Sequence, residues 1–136
     1  LEGEPLDSML RRHKTLPVGA TMRLVADLAR GLDVAHQQGI VHRDLKPGNV
    51  FLHRTLEGNV VPKILDFGIS KLVGPTIDPI ATSAGTVLGT PAYMSPEQAL
   101  GRPLDARTDL FSLGVVLYQM ATGRLPFPGH RSAGLP

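Results

Sequence analysis

The sequence predicts an α+β fold that is mainly helical and contains one small β-hairpin. Two stretches repeat apolar residues with the helical period, and two short apolar runs between them are joined by a turn sequence. With 136 residues, of which 42% are hydrophobic, the chain is long enough to bury a substantial core. We therefore expect one ordered domain at most, and not an intrinsically disordered chain.

The first predicted helix runs from Pro17 to Gln38. Pro17 suits the first helical turn, and Gly39 suits the left-handed position that follows the last turn. The expected apolar face consists of residues spaced three or four apart: Met22, Val25, Leu28, Leu32 and Ala35.

The predicted hairpin follows this helix. Its two apolar runs extend from Asn49 to His53 and from Val60 to Leu65. The sequence Glu-Gly-Asn at positions 57–59 is typical of the turn that joins antiparallel strands. The predicted sheet is therefore small.

The second predicted helix begins at Thr108, a favourable N-cap residue, and ends at Thr122, with Gly123 as its stop. Its expected apolar stripe consists of Leu110, Leu113, Leu117 and Met120. Residues 69–91, which precede it, are rich in Gly, Pro, Ser and Thr and show no sustained period. Such a length without periodicity is typical of a functional loop or a disordered segment.

Composition excludes several classes of function. Lys and Arg number 14 against 12 Asp and Glu, so the net charge is +2, which is too small and too scattered for a nucleic-acid-binding surface. The chain has no cysteine, so it forms neither disulfides nor thiolate metal sites, and a cytoplasmic location is expected. The most apolar stretch, Leu110 to Ala121, is about half as long as a membrane span, so no membrane segment is expected.

The most informative polar residues lie between the first helix and the hairpin and just after the hairpin. Asp44 and Asn49, five residues apart in a tight loop, can face one small volume, and Asp66 can reach it from the end of the second strand. Lys46 adds a mobile positive charge. Phosphoryl transfer needs cations near phosphate oxygens, hard oxygen ligands for metal ions, and a group that orients the attacking hydroxyl. These four residues supply groups of each kind.

The motifs around these residues resemble those of the eukaryotic-like (Hanks-type) serine/threonine protein kinases. They are His-Arg-Asp-Leu-Lys-Pro-Gly-Asn at 42–49, Asp-Phe-Gly at 66–68 and Gly-Thr-Pro-Ala-Tyr-Met-Ser-Pro-Glu at 89–97. Lys46 and Thr90 are typical of the serine/threonine class, and the amino-acid sequences of the last two motifs are similar to those of bacterial members.

The resemblance covers nearly the whole chain, from a segment similar to the one after the hinge at residues 1–3 to the exit of the second helix at 123–127. It implies that residues 1–136 are a partial protein kinase domain with a protein kinase-like fold, namely the mainly helical C-terminal lobe. On this interpretation the N-terminal lobe and the last C-lobe helices lie outside the sequence.

The resemblance implies ATP and Mg²⁺ as cofactors and assigns the residues that act on them. Asp44 would accept or orient the proton of the substrate hydroxyl, and Lys46 would bind the nucleotide and stabilise charge on the moving phosphoryl group. Asn49 and Asp66 would hold two Mg²⁺ ions together with oxygens of ATP. Phe51 would form part of the floor under adenine.

Other matched residues have implied structural roles. His42 would pack against Phe67, and Asp109 would bond the backbone around His42. Gly68 would give the backbone freedom beside the metal. Glu97 would lack the arginine with which the family pairs it and would remain an unpaired acid in the interior.

The implied regulatory residues concern the activation loop. Arg43 would pair with a phosphorylated residue of that loop, for which Thr86 has the best position. The hydroxyl of Thr90 would bridge Asp44 and Lys46.

The expected function of the parent protein is ATP-dependent phosphorylation of Ser or Thr hydroxyls in a protein substrate, whereas the 136 residues alone are expected to be inactive. Two alternatives remain open. One is a non-catalytic pseudokinase or scaffold fragment. The other is a small-molecule phosphotransferase of the antibiotic-kinase type, which shares the Asp, Asn and metal-binding Asp but normally lacks the Arg43–Asp44 pairing.

A single matched residue carries little weight. Taken singly, Asp44 or Asn49 in a Pro-Gly loop is typically a turn residue that bonds its own backbone.

Overall fold

The computed structural model describes residues 2–67 and 91–128. The helices are α1 (Leu6–His13), α2 (Val18–Gln37), α3 (Pro96–Ala99) and α4 (Ala106–Thr122), the strands are β1 (Gly3–Pro5), β2 (Val50–Arg54) and β3 (Val60–Ile64), and 3₁₀ turns cover Pro47–Asn49 and Pro91–Tyr93. The three strands form one antiparallel sheet in the order β1-β2-β3. No helix in this described part is long and apolar enough to cross a membrane.

The predicted helices and hairpin agree with α2, α4 and the β2–β3 pair to within two residues at each end. The prediction of a hairpin alone was incomplete because β1 pairs with β2 and adds a third strand. Neither α1 nor α3 was predicted. With eight and four residues, they are too short to show a clear period in the sequence.

The helix ends correct two details of the prediction. Pro17 is the N-cap of α2, not a residue of its first turn. The N-cap of α4 is Asp105, three residues before the predicted Thr108, and its carboxylate accepts a hydrogen bond from the backbone N–H of Arg107 at 2.9 Å. Hydrogen bonds from the Arg107 side chain, together with this backbone bond, lower the pKa of Asp105. Gly39 and Gly123 adopt the expected left-handed conformation.

The buried faces of the two long helices differ from the predicted stripes. Met22 of α2 is 56% exposed and Leu110 of α4 is 52% exposed, although both were assigned to the core. Polar residues take buried positions instead: Thr21 in α2, and Thr108, Asp109 and Ser112 in α4. The spacing of apolar residues therefore predicts the wrong buried face for each helix, because part of each buried surface is formed by polar side chains.

The core lies where α1, α2, α4 and the sheet meet. Its buried members are Leu6, Leu10, Leu24, Leu28, Leu32, Leu45, Val50, Leu52, Leu113, Val116 and Met120. Leu45 belongs to the loop between α2 and β2 and is only 1% exposed. It therefore anchors that polar loop to the apolar core.

The approach of β1 to β2 requires glycine at residue 3. Gly3 has a φ of +147°, and a Cβ at this position would lie 2.1 Å from the carbonyl oxygen of Leu52. We expect Gly3→Ala to lower the free energy of unfolding by about 1–3 kcal/mol, because β1 must move away from β2. Urea denaturation measures this change.

The matched control is Gly39→Ala. Gly39 also has a positive φ, +75°, but no atom lies within 4 Å of the added Cβ. A loss for Gly3→Ala no larger than that for Gly39→Ala would contradict the proposed steric origin.

Candidate active site

Buried residues shape the loop that connects α2 to β2. His42 and Leu45 are almost completely buried, and Pro47 is buried at the start of the 3₁₀ turn. Between them, the side chains of Asp44 and Lys46 are each 29% exposed. The loop therefore presents these two polar groups at the surface while its neighbours hold it to the core.

Asp109, near the start of α4, holds the backbone of this loop. Its Oδ2 accepts a hydrogen bond from the backbone N–H of His42 at 2.8 Å, and its Oδ1 accepts one from that of Arg43 at 2.9 Å. These are the contacts that the resemblance implies for Asp109. Hydrogen bonds of this kind to a buried carboxylate are strong, and each satisfies a backbone donor that would otherwise be costly to bury.

A third partner of Asp109 was not found by sequence reasoning. Nε2 of His36, in α2, donates to Oδ2 of Asp109 at 2.7 Å, and the two side chains are 12% and 1% exposed. The available signal was spacing, because His36 lies four residues after Leu32 and thus on the buried face of α2.

The ring of His42 joins the loop to the segment after β3. Its Nδ1 accepts a hydrogen bond from the backbone N–H of Asp44 at 3.1 Å, so its Nε2 carries the proton and donates to the carbonyl of Leu65 at 2.8 Å. The ring also makes an edge-to-face contact with Phe67, with ring centroids 4.8 Å apart. His42 is thus a structural link.

The structure brings three of the four candidate catalytic side chains together. Nζ of Lys46 lies 3.7 Å from Oδ2 of Asp44. Nδ2 of Asn49 donates to the carbonyl of Asp44 at 2.8 Å and lies 3.4 Å from its Oδ2. Because the amide nitrogen of Asn49 is engaged by Asp44, its Oδ1 is the atom suited to bind a cation.

The backbone just before Asp66 is joined to the backbone of Asn49. The N–H of Leu65, the preceding residue, donates to the carbonyl of Asn49 at 2.8 Å. Asp66 itself is exposed and has a φ of +52°, and Arg43 in the facing loop has a φ of +72°. Such left-handed residues are uncommon outside glycine and concentrate at functional sites.

Phe51 lies in the central strand β2 and is half-buried, between the fully buried Val50 and Leu52. Because side chains alternate along a strand, Phe51 projects from the face of the sheet opposite to these two core residues. Its ring is close to Gly3 of β1. This position is compatible with contact to a ligand on that face.

Residues 95–98 form a second structured segment beside the loop. Ser95 and Gln98 make a capping box at the start of α3. Glu97 is half-buried and accepts a hydrogen bond from the hydroxyl of Thr108 at 2.8 Å, so its carboxylate has a polar partner, and the absence of an arginine partner stays a prediction. Its own backbone N–H and the Thr108 hydroxyl lower the pKa of Glu97.

A groove of about 690 Å³ adjoins Lys46. Its lining includes Asp7, Leu10, Arg11, Lys14, Lys46, Tyr93 and Gln119. Three of the lining side chains are basic and one is acidic. The Tyr93 hydroxyl donates to Oε1 of Gln119, and burial raises the pKa of Tyr93. A second cavity, of about 540 Å³, is bounded by β1, α1 and the sheet and contains none of the candidate catalytic residues.

Some predicted positions lie outside the described residues, namely Gly68, Thr86 and Thr90. Within residues 2–67 and 91–128, no group of three or more His, Asp or Glu side chains is arranged to hold a metal ion by itself. Asn49 and Asp66 offer one amide oxygen and one carboxylate. This donor set fits a hard divalent ion that also takes oxygens from a bound phosphate.

Comparison with known proteins identifies the family. Residues 1–135 match the model of the protein kinase domain. The chain is 46% identical over 129 residues to the serine/threonine-protein kinase pkn2 of Myxococcus xanthus, covering 95% of the chain and 15% of that relative. The corresponding values are 47% over 127 residues for Pkn1 of the same organism, with 93% and 18% covered, and 43% over 129 residues for PknA of Mycobacterium tuberculosis, with 95% and 28% covered.

The chain thus spans less than a third of the length of each of these relatives. The family match extends over both the loop held by Asp109 and the segment at 91–99 that packs beside it. The chain belongs to the protein kinase domain family, in its Hanks-type branch of bacterial serine/threonine kinases.

Proposed function

We propose that the protein containing this chain transfers the γ-phosphoryl group of ATP to a Ser or Thr hydroxyl of a protein substrate. The observation that carries this proposal is the convergence of Asp44, Lys46 and Asn49 on a loop whose backbone is held by Asp109. The relatives named serine/threonine-protein kinases support the same reaction class.

Asp44 and Lys46 have complementary roles in this proposal. The Asp44 carboxylate orients the attacking hydroxyl and accepts its proton. The Lys46 ammonium, 3.7 Å from that carboxylate, neutralises charge on the phosphoryl group during transfer. Their partial exposure leaves both groups accessible to a substrate hydroxyl.

Asn49 and Asp66 would hold Mg²⁺ together with the phosphate oxygens of ATP, and Phe51 would lie under the adenine. Bound Mg²⁺ neutralises the phosphate oxygens and aligns them for attack. The protein contributes the amide oxygen of Asn49, because its nitrogen is engaged by Asp44, and the exposed carboxylate of Asp66.

A protein acceptor is favoured over a small molecule because the matched relatives are named serine/threonine-protein kinases. A groove of about 690 Å³, lined in part by α1 and Tyr93, lies beside Lys46. We further assign the chain to the mainly helical lobe of the kinase domain, with Arg43, Thr86 and Thr90 as regulatory residues.

Asp66→Asn in the whole protein should lower Mg²⁺-dependent phosphate transfer by about 10²-fold or more, because a neutral amide binds the metal more weakly than a carboxylate. The measurement is transfer from γ-labelled ATP to Ser and Thr of a general acceptor protein, as a function of Mg²⁺ concentration. We expect the Mg²⁺ requirement to rise as the rate falls.

Asp33→Asn is the matched control, since Asp33 lies on the exposed side of α2 and accepts a hydrogen bond from Gln37. Equal activity and an equal Mg²⁺ requirement in Asp66→Asn and wild type would contradict the metal role. Wild-type protein that binds Mg²⁺-ATP in calorimetry but transfers no phosphate would establish the scaffold alternative.

A further inference from the structure

Side chains hold the peptide unit between Arg43 and Asp44 at both of its polar ends. Its carbonyl accepts a hydrogen bond from Nε2 of Gln98 at 2.6 Å. Its N–H donates to Nδ1 of His42 at 3.1 Å. The preceding N–H, that of Arg43, donates to Asp109. The unit that leads directly into the proposed catalytic aspartate is therefore held by Gln98 of α3 and by the His42 ring, and the unit before it is held by Asp109 of α4.

This clamp acts on a disfavoured backbone conformation. Arg43 has a φ of +72°, in the left-handed region that residues other than Gly, Asn and Asp rarely adopt. A conformation of this kind persists only where the surroundings hold it. Gln98, which lies 55 residues away in the sequence, holds the Arg43 carbonyl by its hydrogen bond.

Both ends of the Gln98 amide are engaged. Its Oε1 accepts a hydrogen bond from the backbone N–H of Ser95 at 3.1 Å, which completes the capping box of α3. This bond points the Nε2 end toward the Arg43 carbonyl. A glutamate can supply only the acceptor and a lysine only the donor, so the two functions can be separated by substitution.

We propose that Gln98 is a positioning residue for Asp44, through which the ordered segment Ser95–Gln98 holds the 43–44 peptide in its active orientation. The activity part of this inference rests on the proposed function. Rotation of that peptide would move the Asp44 carboxylate relative to Lys46, which lies 3.7 Å away. Loss of the Gln98 donor should therefore lower kcat and leave the KM for ATP nearly unchanged.

The test compares Gln98→Glu with Gln98→Lys in the whole protein. Gln98→Glu retains the cap acceptor but turns a carboxylate toward the Arg43 carbonyl, and its kcat should fall about tenfold or more, with the KM for ATP within about twofold of wild type. Gln98→Lys retains a donor and should keep a clearly higher kcat than Gln98→Glu. The controls Gln38→Glu and Gln38→Lys make the same charge changes at an exposed residue after α2 and should stay within about twofold of wild type.

Hydrogen–deuterium exchange of the peptide covering residues 42–45 gives a readout that does not depend on activity. We expect faster exchange in Gln98→Glu than in wild type or Gln38→Glu, because the clamped peptide unit opens more often. If Gln98→Glu exchanges faster than wild type while the wild-type protein transfers no phosphate, the clamp is supported and the proposed function is refuted.

Unchanged kcat and unchanged exchange in Gln98→Glu would overturn the inference. A kcat in Gln98→Lys as low as in Gln98→Glu would also overturn it, because a donor at this position would then not preserve activity. Should Gln98→Glu not fold, Gln98→Met takes its place, since it lacks both functions at similar size. The kcat of Gln98→Met should then be lower than that of Gln98→Lys.

Discussion

Asp44→Asn in the whole protein should lower kcat by about 10²–10⁴-fold while leaving the fold and ATP binding nearly unchanged. Asparagine has the same shape as aspartate but cannot accept the proton of the attacking hydroxyl. The hydrogen bond from Asn49 to the backbone carbonyl of residue 44 does not involve the substituted group and should persist. The Asp44 side chain is 29% exposed, so its replacement does not remove a fully buried charge.

The measurements for this prediction are steady-state phosphate transfer, ATP binding by calorimetry and the thermal unfolding temperature. Asp27→Asn is a suitable control, because Asp27 is an exposed carboxylate of α2 that pairs with Arg30. A kcat for Asp44→Asn within about threefold of wild type would remove the general-base role from Asp44. A large loss of ATP affinity would show instead that Asp44 acts mainly in nucleotide binding.

Asp109→Ala should lower the free energy of unfolding by about 3–5 kcal/mol, the loss typical of removing one partner from a buried charged network. The substitution leaves two backbone N–H groups, those of His42 and Arg43, without their acceptor, and it leaves His36 without its partner. The loop that carries Asp44 should then lose its fixed conformation, so activity should fall as well.

Urea denaturation of the whole protein, monitored by a probe within the kinase domain, measures this loss. Asp105→Ala is the control at the same end of α4, where an exposed carboxylate caps the helix, and its effect should be clearly smaller. In the double variant His36→Ala/Asp109→Ala the loss should be less than the sum of the single losses, because no unsatisfied donor remains at His36. Strictly additive losses would contradict the contact between these two side chains.

Periodicity and turn chemistry predicted α2, α4 and the β2–β3 pair because each is long enough, or bounded clearly enough, to carry a local signal. The same signal misplaced the packed faces. Met22 is exposed and Asp109 is completely buried, the reverse of what apolarity alone predicts. Burial at these positions is decided by neighbours in space, including polar loops that need buried acceptors.

Motif spacing also identified Asp44, Lys46, Asn49 and Asp66 as the candidate site, since chemistry of this kind needs particular residue types in a short stretch. The supporting residues were harder to find. His36 and Gln98 contact their partners across 73 and 55 residues of sequence. Neither a histidine in an amphipathic helix nor a glutamine after Ser-Pro-Glu signals such a contact by its local pattern.

The amino-acid sequence by itself determined the main helices, the hairpin and the end of α4 at Gly123, and it supplied the candidate residues for phosphoryl transfer, because all of these depend on local spacing and side-chain type. Only the tertiary structure decided how that set is held. The packing of α4 against α2 brings the Asp109 carboxylate under the loop, and α3 brings the Gln98 amide to the Arg43 carbonyl. The left-handed backbone at Arg43 is stable because these distant groups satisfy its hydrogen bonds, which no short stretch of sequence can specify.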